Sequence, residues 1–203
     1  MDAVSAQWRW NHNLHYHPLI LGAVPQGCRR SLDVGCGEGM LARELRQVVP
    51  YVTGIDRDAA SIELARRQDE DIEFILGDFL THPFEAASFD LIASIAVLHH
   101  MDATVALERM RHLLAPGGTL AIVGLARNRY PADLPFAVAG AVGHRIHRLS
   151  KPCWEDSAPR LWPPPDSFAQ TRRLARRLLP GVRYRRLLLF RYSLVWTKPG
   201  YAC

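Results

Sequence analysis

The segment from Ser31 to Gly39, reading Ser-Leu-Asp-Val-Gly-Cys-Gly-Glu-Gly, constrains this chain more than any other. It joins a short apolar run to a helical-looking stretch, Met40 to Val49, through three alternate glycines. Such a run reads as a buried parallel strand delivering a glycine-rich loop to a helix N-terminus. Gly35, Gly37 and Gly39 carry no Cβ, so the backbone can turn tightly and approach a ligand closely. The free N–H groups at the helix start are expected to suit a negatively charged group. The spacing narrows the ligand further. A nicotinamide fingerprint, G-x-G-x-x-G/A, needs Gly or Ala at position 40, where this chain has Met40, with its third glycine at Gly39.

The 203 residues have room for one domain with one sizeable core, and 48% apolar content with a mean hydropathy of -0.08 reads as a soluble globular protein. The longest apolar runs, such as Ile92 to Leu98, are far shorter than a membrane span, and the N-terminus shows no apolar core behind a basic start. A cytoplasmic location is expected. Cys28, Cys36, Cys153 and Cys203 form no C-x-x-C pair, so all four are expected to be free thiols. The net charge is only +5, and just two of the 25 basic residues are lysine, a bias of GC-rich bacterial coding rather than of a charged partner.

The first 27 residues are expected to close over the glycine loop as a lid. Trp8, Trp10, His12, His15, Tyr16 and His17 precede Pro18, which opens a helix running through Val24, because proline suits a first helical turn. The three histidines have no acidic or cysteine partner at a zinc spacing, so no metal is expected. The middle of the chain alternates as a doubly wound sheet requires. Strands are predicted at Tyr51 to Ile55, Ile72 to Leu76, Phe89 to Ile95 and Thr119 to Leu125, and helices at Met40 to Val49, Ala59 to Gln68 and Val105 to Leu114. After Leu125 the rhythm breaks. Residues 126 to 165 hold 7 of the 14 prolines, Trp154, Trp162 and one predicted helix, Leu134 to Leu149. This insertion leaves from the carboxyl end of a strand, where open α/β sheets bind ligands, and is expected to cover the substrate. A basic amphipathic helix, Asp166 to Leu179, and two strands, Val182 to Phe190 and Tyr192 to Lys198, complete the chain.

With Asp33 two residues ahead of Gly35, the loop reads D-x-G-x-G-x-G and resembles motif I of the class I S-adenosylmethionine (SAM) dependent methyltransferases. Leu114-Ala-Pro-Gly-Gly118 is similar to the turn before their fifth strand. Leu98-His99-His100 looks like the segment after the fourth strand in small-molecule members of the type 11, ubiquinone-biosynthesis-like group. The resemblance spans about residues 28 to 198 and is specific from Cys36 to Gly118. It implies a Rossmann-like α/β fold over the whole chain: a three-layer sandwich around a mainly parallel seven-stranded sheet with an antiparallel C-terminal hairpin. It also implies SAM as cofactor and S-adenosyl-L-homocysteine (SAH) as product. Asp56 would close the second strand and accept hydrogen bonds from both ribose hydroxyls. Asp78 would close the third strand and accept from the adenine amino group, with Phe79 or a neighbour against the ring. Asp33 would tie the loop backbone or reach the methionine amino group, and Gly35, Cys36, Gly37, Arg57 and Ile95 complete the expected cofactor contacts.

The expected reaction moves a methyl group from SAM to an O, N or C nucleophile of a small molecule, a chemistry common in bacterial secondary metabolism. His99 and His100 lie where substrate would meet the methyl group, and an imidazole takes a proton readily near neutral pH. Adjacent side chains diverge, so one of the pair is expected to be the base, and His99 is preferred. The alternatives are an RNA or other nucleic-acid methyltransferase and a non-catalytic SAM-binding subunit, which has the same fold. Asp166 to Lys198 holds nine basic residues and one acidic, yet Arg172, Arg173, Arg176 and Arg177 fall in the helical period of a solvated face. The fourth strand ends in Ser94-Ile-Ala-Val97 where enzymes that methylate base amines carry D/N-P-P-Y, which disfavours nucleic acid. No feature of the chain specifies an oligomeric state.

Overall fold

The structure, a computed structural model, describes residues 11–129, 131, 133, 134, 145 and 163–200. Its strands are β1 (Arg30–Val34), β2 (Tyr51–Asp56), β3 (Glu73–Leu76), β4 (Phe89–Ile95), β5 (Leu114–Leu125), β6 (Arg183–Arg186) and β7 (Arg191–Thr197). Its helices are α1 (His17–Leu21), α2 (Met40–Arg46), α3 (Ala59–Gln68), α4 (Ala103–Leu113) and α5 (Phe168–Leu178). The strands form one seven-stranded sheet in the order β3-β2-β1-β4-β5-β7-β6. The first five are parallel, β7 runs antiparallel to β5, and β6 runs antiparallel to β7 at the edge. After β3 the chain crosses to the other side of β1 to form β4, so the order reverses between β1 and β4. In an open α/β sheet that reversal opens a crevice beyond the carboxyl ends of the strands.

Near-continuous apolar strands need cover on both faces, and both are covered. Successive residues of β4 and β5 alternate between two cores. Ile92, Leu120 and Ile122 pack with Leu107 and Met110 of α4 and with Ala175 of α5. Leu91, Ala93, Ala121 and Val123 pack with Ile20 of α1, Leu41 and Leu45 of α2 and Ile62 of α3. Truncating one of the large, fully buried side chains to alanine costs about 2–5 kcal/mol. The result is the three-layer sandwich that the alternation of elements implies.

Element boundaries follow local chemistry. Asp102 starts α4 two residues before the predicted Val105 because its carboxylate accepts from the N–H groups of Thr104 and Val105. Ser167 and Gln170 form a reciprocal capping box that starts α5. Pro18 does sit in the first turn of α1, but the helix stops at Leu21, before Gly22. The strand predicted over Val182 to Phe190 ends at Arg186, because Leu189 and Phe190 take left-handed backbone angles of φ 56 and 61 that no strand accepts. Most of the predicted cover over 126 to 165, with its helix from Leu134 to Leu149, lies outside the described residues, as do Trp8, Trp10, Cys153 and Cys203. Cys28 and Cys36 are buried free thiols, as expected.

Candidate functional site

The loop after β1 holds its shape through its glycines. A Cβ on Gly35 would come within 2.2 Å of Val97 Cγ2, and one on Gly39 within 2.5 Å of Phe74 Cζ, at φ +73 and +77. Only glycine fits either position. Gly37 also has a positive φ, +52, but a Cβ there would meet nothing within 4 Å, since this residue faces open space. Four N–H groups of the loop itself are already engaged. The N–H groups of Gly35 and Cys36 both donate to Ile55 O, that of Gly37 to Asp56 Oδ2 at 2.8 Å, and that of Gly39 to Cys36 O. The loop therefore offers a ligand close backbone approach, with these four donors held within the protein.

Three carboxylates mark the ends of the first three strands. Asp33 is 2% exposed, and its Oδ2 is buried without a hydrogen-bond partner. Burial, then the nearby Asp56, pushes its ionisation up to about 7, against the pull of the Ala42 backbone N–H. Asp56 accepts through Oδ2 from Gly37 and through Oδ1 from the Asp58 N–H at 2.9 Å, so it couples the β2 end to the glycine loop. Each oxygen keeps a second lone pair for a ligand. Asp78 fixes its own turn by accepting from the Leu80 N–H at 2.8 Å, and Arg57 Nε lies 3.9 Å from its Oδ2.

All three border one cavity of about 470 Å³, together with Gly35, Cys36, Gly37, Arg57, Phe79 and Ile95. The fold thus gathers the residues that the sequence picks out. Phe79 is 4% exposed, sits in the core and carries the Arg109 guanidinium 5.6 Å from its ring centre. Arg109, invisible to motif reading, also donates to Phe79 O at 2.7 Å and to His82 O, clamping the β3 loop onto α4. The Cys36 thiol is pushed far up by burial and by Asp33 and Asp56, so it stays protonated and packs toward Gly54.

Of the two histidines, only His100 borders the cavity. His99 Nδ1 is buried without a partner, and the ring centre lies 4.0 Å from that of His100. Burial, then His100 and Arg191, pushes its ionisation down to about 4. His100 is lowered more mildly by burial, with Asp56 opposing. Both shifts favour the neutral imidazole. Of the two, the preferred His99 stands back from the cavity wall and His100 lies on it, both within the short 3₁₀ turn Leu98–His100. Ala96, at the end of β4 on the same wall, holds a left-handed φ of 59. In a residue other than glycine that costs about 1–2 kcal/mol, and such strain gathers at ligand sites.

The remaining wall comes from the N-terminal segment: Asn11, Asn13, Leu14 and His17. Asn11 Oδ1 accepts from the N–H groups of Asn13 and Leu14, and His17 Nδ1 lies 3.0 Å from Glu44 of α2. The sequence marks this region as a lid without showing which of its residues face the cavity. The signal that could have found them is an Asx turn before a helix, with Asn11 as its acceptor. Among the described residues no helix is long and apolar enough to cross a membrane, and no group of three or more His, Cys, Asp or Glu is placed to hold a metal.

A sheet that reverses between β1 and β4, with a glycine loop and acidic strand ends around one cavity, fits the class of SAM-dependent methyltransferases. Comparison with known proteins agrees. Residues 32–122 match the family described as "Methyltransferase domain". An uncharacterised methyltransferase of Mycobacterium bovis is 39% identical over 193 residues, covering 94% of this chain and 98% of its own. The demethylmenaquinone methyltransferase of Roseiflexus castenholzii is 30% identical over 166 residues, covering 75% of this chain and 69% of its own. The structure of Haemonchus contortus phosphoethanolamine N-methyltransferase 2 with SAM superposes with a TM-score of 0.64 at 15% identity, covering 91% of this chain and 52% of that one. The chain belongs to the methyltransferase family and is an enzyme that uses SAM. The residues present fit that cofactor: the unpartnered, buried carboxylate oxygen of Asp33 suits its amino group, and open space at Gly37 leaves room for its chain.

Proposed function

We propose that this enzyme methylates a small molecule bearing an acidic nucleophile, a phenol, enol or carbon acid, with SAM lying across the carboxyl ends of β1, β2 and β3. The observation that carries the reading is the placement of Asp33, Asp56 and Asp78 at three neighbouring strand ends around one cavity. Asp33 takes the methionine amino group, Asp56 the ribose diol, and Asp78 with the backbone beside Phe79 the adenine. Cys36, Arg57 and Ile95 close the sides. Bound SAM supplies a methyl group already activated on a sulfonium, so the protein's share is alignment and exclusion of water. His100, shifted toward its neutral form and on the wall, removes the acceptor's proton, and His99 backs its ring.

A small acceptor is favoured over nucleic acid because the arginines of α5 are exposed and do not border the cavity. The Roseiflexus relative, named as a demethylmenaquinone methyltransferase, supports an acceptor of this kind. The test is transfer of labelled methyl from SAM to a panel of phenols, catechols and 1,3-diketones, with primary amines and transfer RNA alongside. Turnover on the first three groups is expected. Turnover on RNA alone would replace this reading with the nucleic-acid one.

A further inference from the structure

Arg191 opens β7, at the far end of the chain from the glycine motif, yet it is 7% exposed and reaches the N-terminal segment. Its Nη2 donates to Asn13 Oδ1 at 2.9 Å, and its Nη1 donates to Leu189 O at 3.4 Å. The turn before it is strained. Leu189 and Phe190 are consecutive non-glycine residues with left-handed φ, a conformation that persists only where surrounding contacts enforce it. Two carbonyls of this turn are engaged: Leu189 O by the Arg191 guanidinium, and Leu188 O by the Tyr16 hydroxyl, which donates to it at 2.8 Å. Leu189 itself is buried with Tyr16 and Ile20. On the other side of this attachment, Asn13, Leu14 and His17 form one wall of the cavity.

We propose that Arg191 is a positioning residue for methyl transfer: through Asn13 it fixes the N-terminal wall of the cofactor cavity. The proposal rests on the reading that SAM occupies that cavity. The Tyr16 hydroxyl gives the turn a second attachment to the same segment. Arg191 also acts on His99, and its positive charge adds to the burial that keeps that imidazole neutral beside His100. One guanidinium thus holds the wall through Asn13 and adds, after burial and His100, to the lowering at His99.

The test is a calorimetric titration with SAH of the unmodified chain, Arg191→Met, Asn13→Ala and the double variant. Each single change is expected to weaken SAH about fivefold to tenfold, with the double variant no weaker than either, since both remove one contact. In Arg191→Met the His99 ring, followed by NMR, should also titrate at higher pH, and Arg191→Lys, which keeps the charge, should return it towards the unmodified value. Should Arg191→Met fail to fold, Asn13→Ala carries the test: hydrogen exchange over residues 14–21 must quicken while β4 is unchanged. SAH affinity within twofold of the unmodified chain in both single variants, additive losses in the double, or unchanged exchange over 14–21 in Asn13→Ala would overturn the proposal. Failure of the unmodified chain to bind SAH would overturn the cofactor reading itself, and this proposal with it.

Discussion

The two sides of the cavity are assembled by different means. On the side of β1 to β3 the polar ties are short in sequence: Asp56 to Gly37, Asp56 to Asp58, and Asp78 to Leu80. On the opposite wall a local turn at Asn11 is supplemented by ties between the two ends of the chain, Tyr16 to Leu188 and Arg191 to Asn13, 172 and 178 residues apart. The first side depends on strand ends and glycines that any copy of the motif supplies. The second is complete only once the C-terminal hairpin has docked on the N-terminal segment. In the proposed reading the cofactor lies along the first side, and the second closes the cavity over it.

The largest expected effect lies within the glycine loop. Gly35→Ala sets a methyl group against Val97 at a positive φ and should abolish SAH binding together with a large fall in melting temperature. Gly37→Ala has the same backbone problem but no clash, so it should cost only about 1–2 kcal/mol of stability while still weakening SAH. Equal losses of stability in both, by thermal unfolding, would show that the loop has no ligand-facing side.

Next in size is the histidine pair, which sharpens the contrast at the methyl end. His100→Ala should lower kcat about 10²-fold on an acidic acceptor and leave SAH affinity unchanged. His99→Ala should cost less, because its ring supports His100 without bordering the cavity. Full turnover by both variants would leave methyl transfer to positioning alone.

Asp56→Ala should raise the SAH dissociation constant at least about tenfold, since hydrogen bonds to a charged acceptor contribute about 1.5–3 kcal/mol each. Loosening of the Gly37 contact adds to the loss. Unchanged affinity by calorimetry would remove Asp56 from the cofactor side.

The smallest effect is a pH dependence. Asp33 ionises at about 7 in the folded chain against an ordinary value of 3.8, so folding favours its protonated form. Its contribution to stability therefore falls as pH rises from about 4 to about 7. A cationic amino group bound beside it favours the carboxylate instead, so SAH affinity should rise about tenfold between about pH 6 and pH 8. Asp33→Asn should flatten that profile, and a wild-type slope surviving in this variant would assign the titration to another group.

The same contrast explains what the sequence made legible. The glycines, Asp33, Asp56 and Asp78 could be found because each sits at a fixed offset from a strand end, and the strands show in their apolar runs. The Arg109 clamp could not, because an arginine on an amphipathic helix carries no sign that it reaches two carbonyls of a distant loop. The order of His99 and His100 depended on the 3₁₀ turn, which adjacent identical residues do not reveal. The early end of β6 followed from two left-handed residues, Leu189 and Phe190, whose apolar side chains continue the strand pattern. Their conformation is imposed by tertiary contacts, and local propensity gives no hint of it.

The most direct test of the central claim is a crystal structure of the chain with SAH. The ribose hydroxyls are expected about 3 Å from the Asp56 carboxylate, with the adenine beside Asp78 and the amino group at Asp33. SAH bound elsewhere, or bound in this cavity with its ribose away from Asp56, would contradict the account.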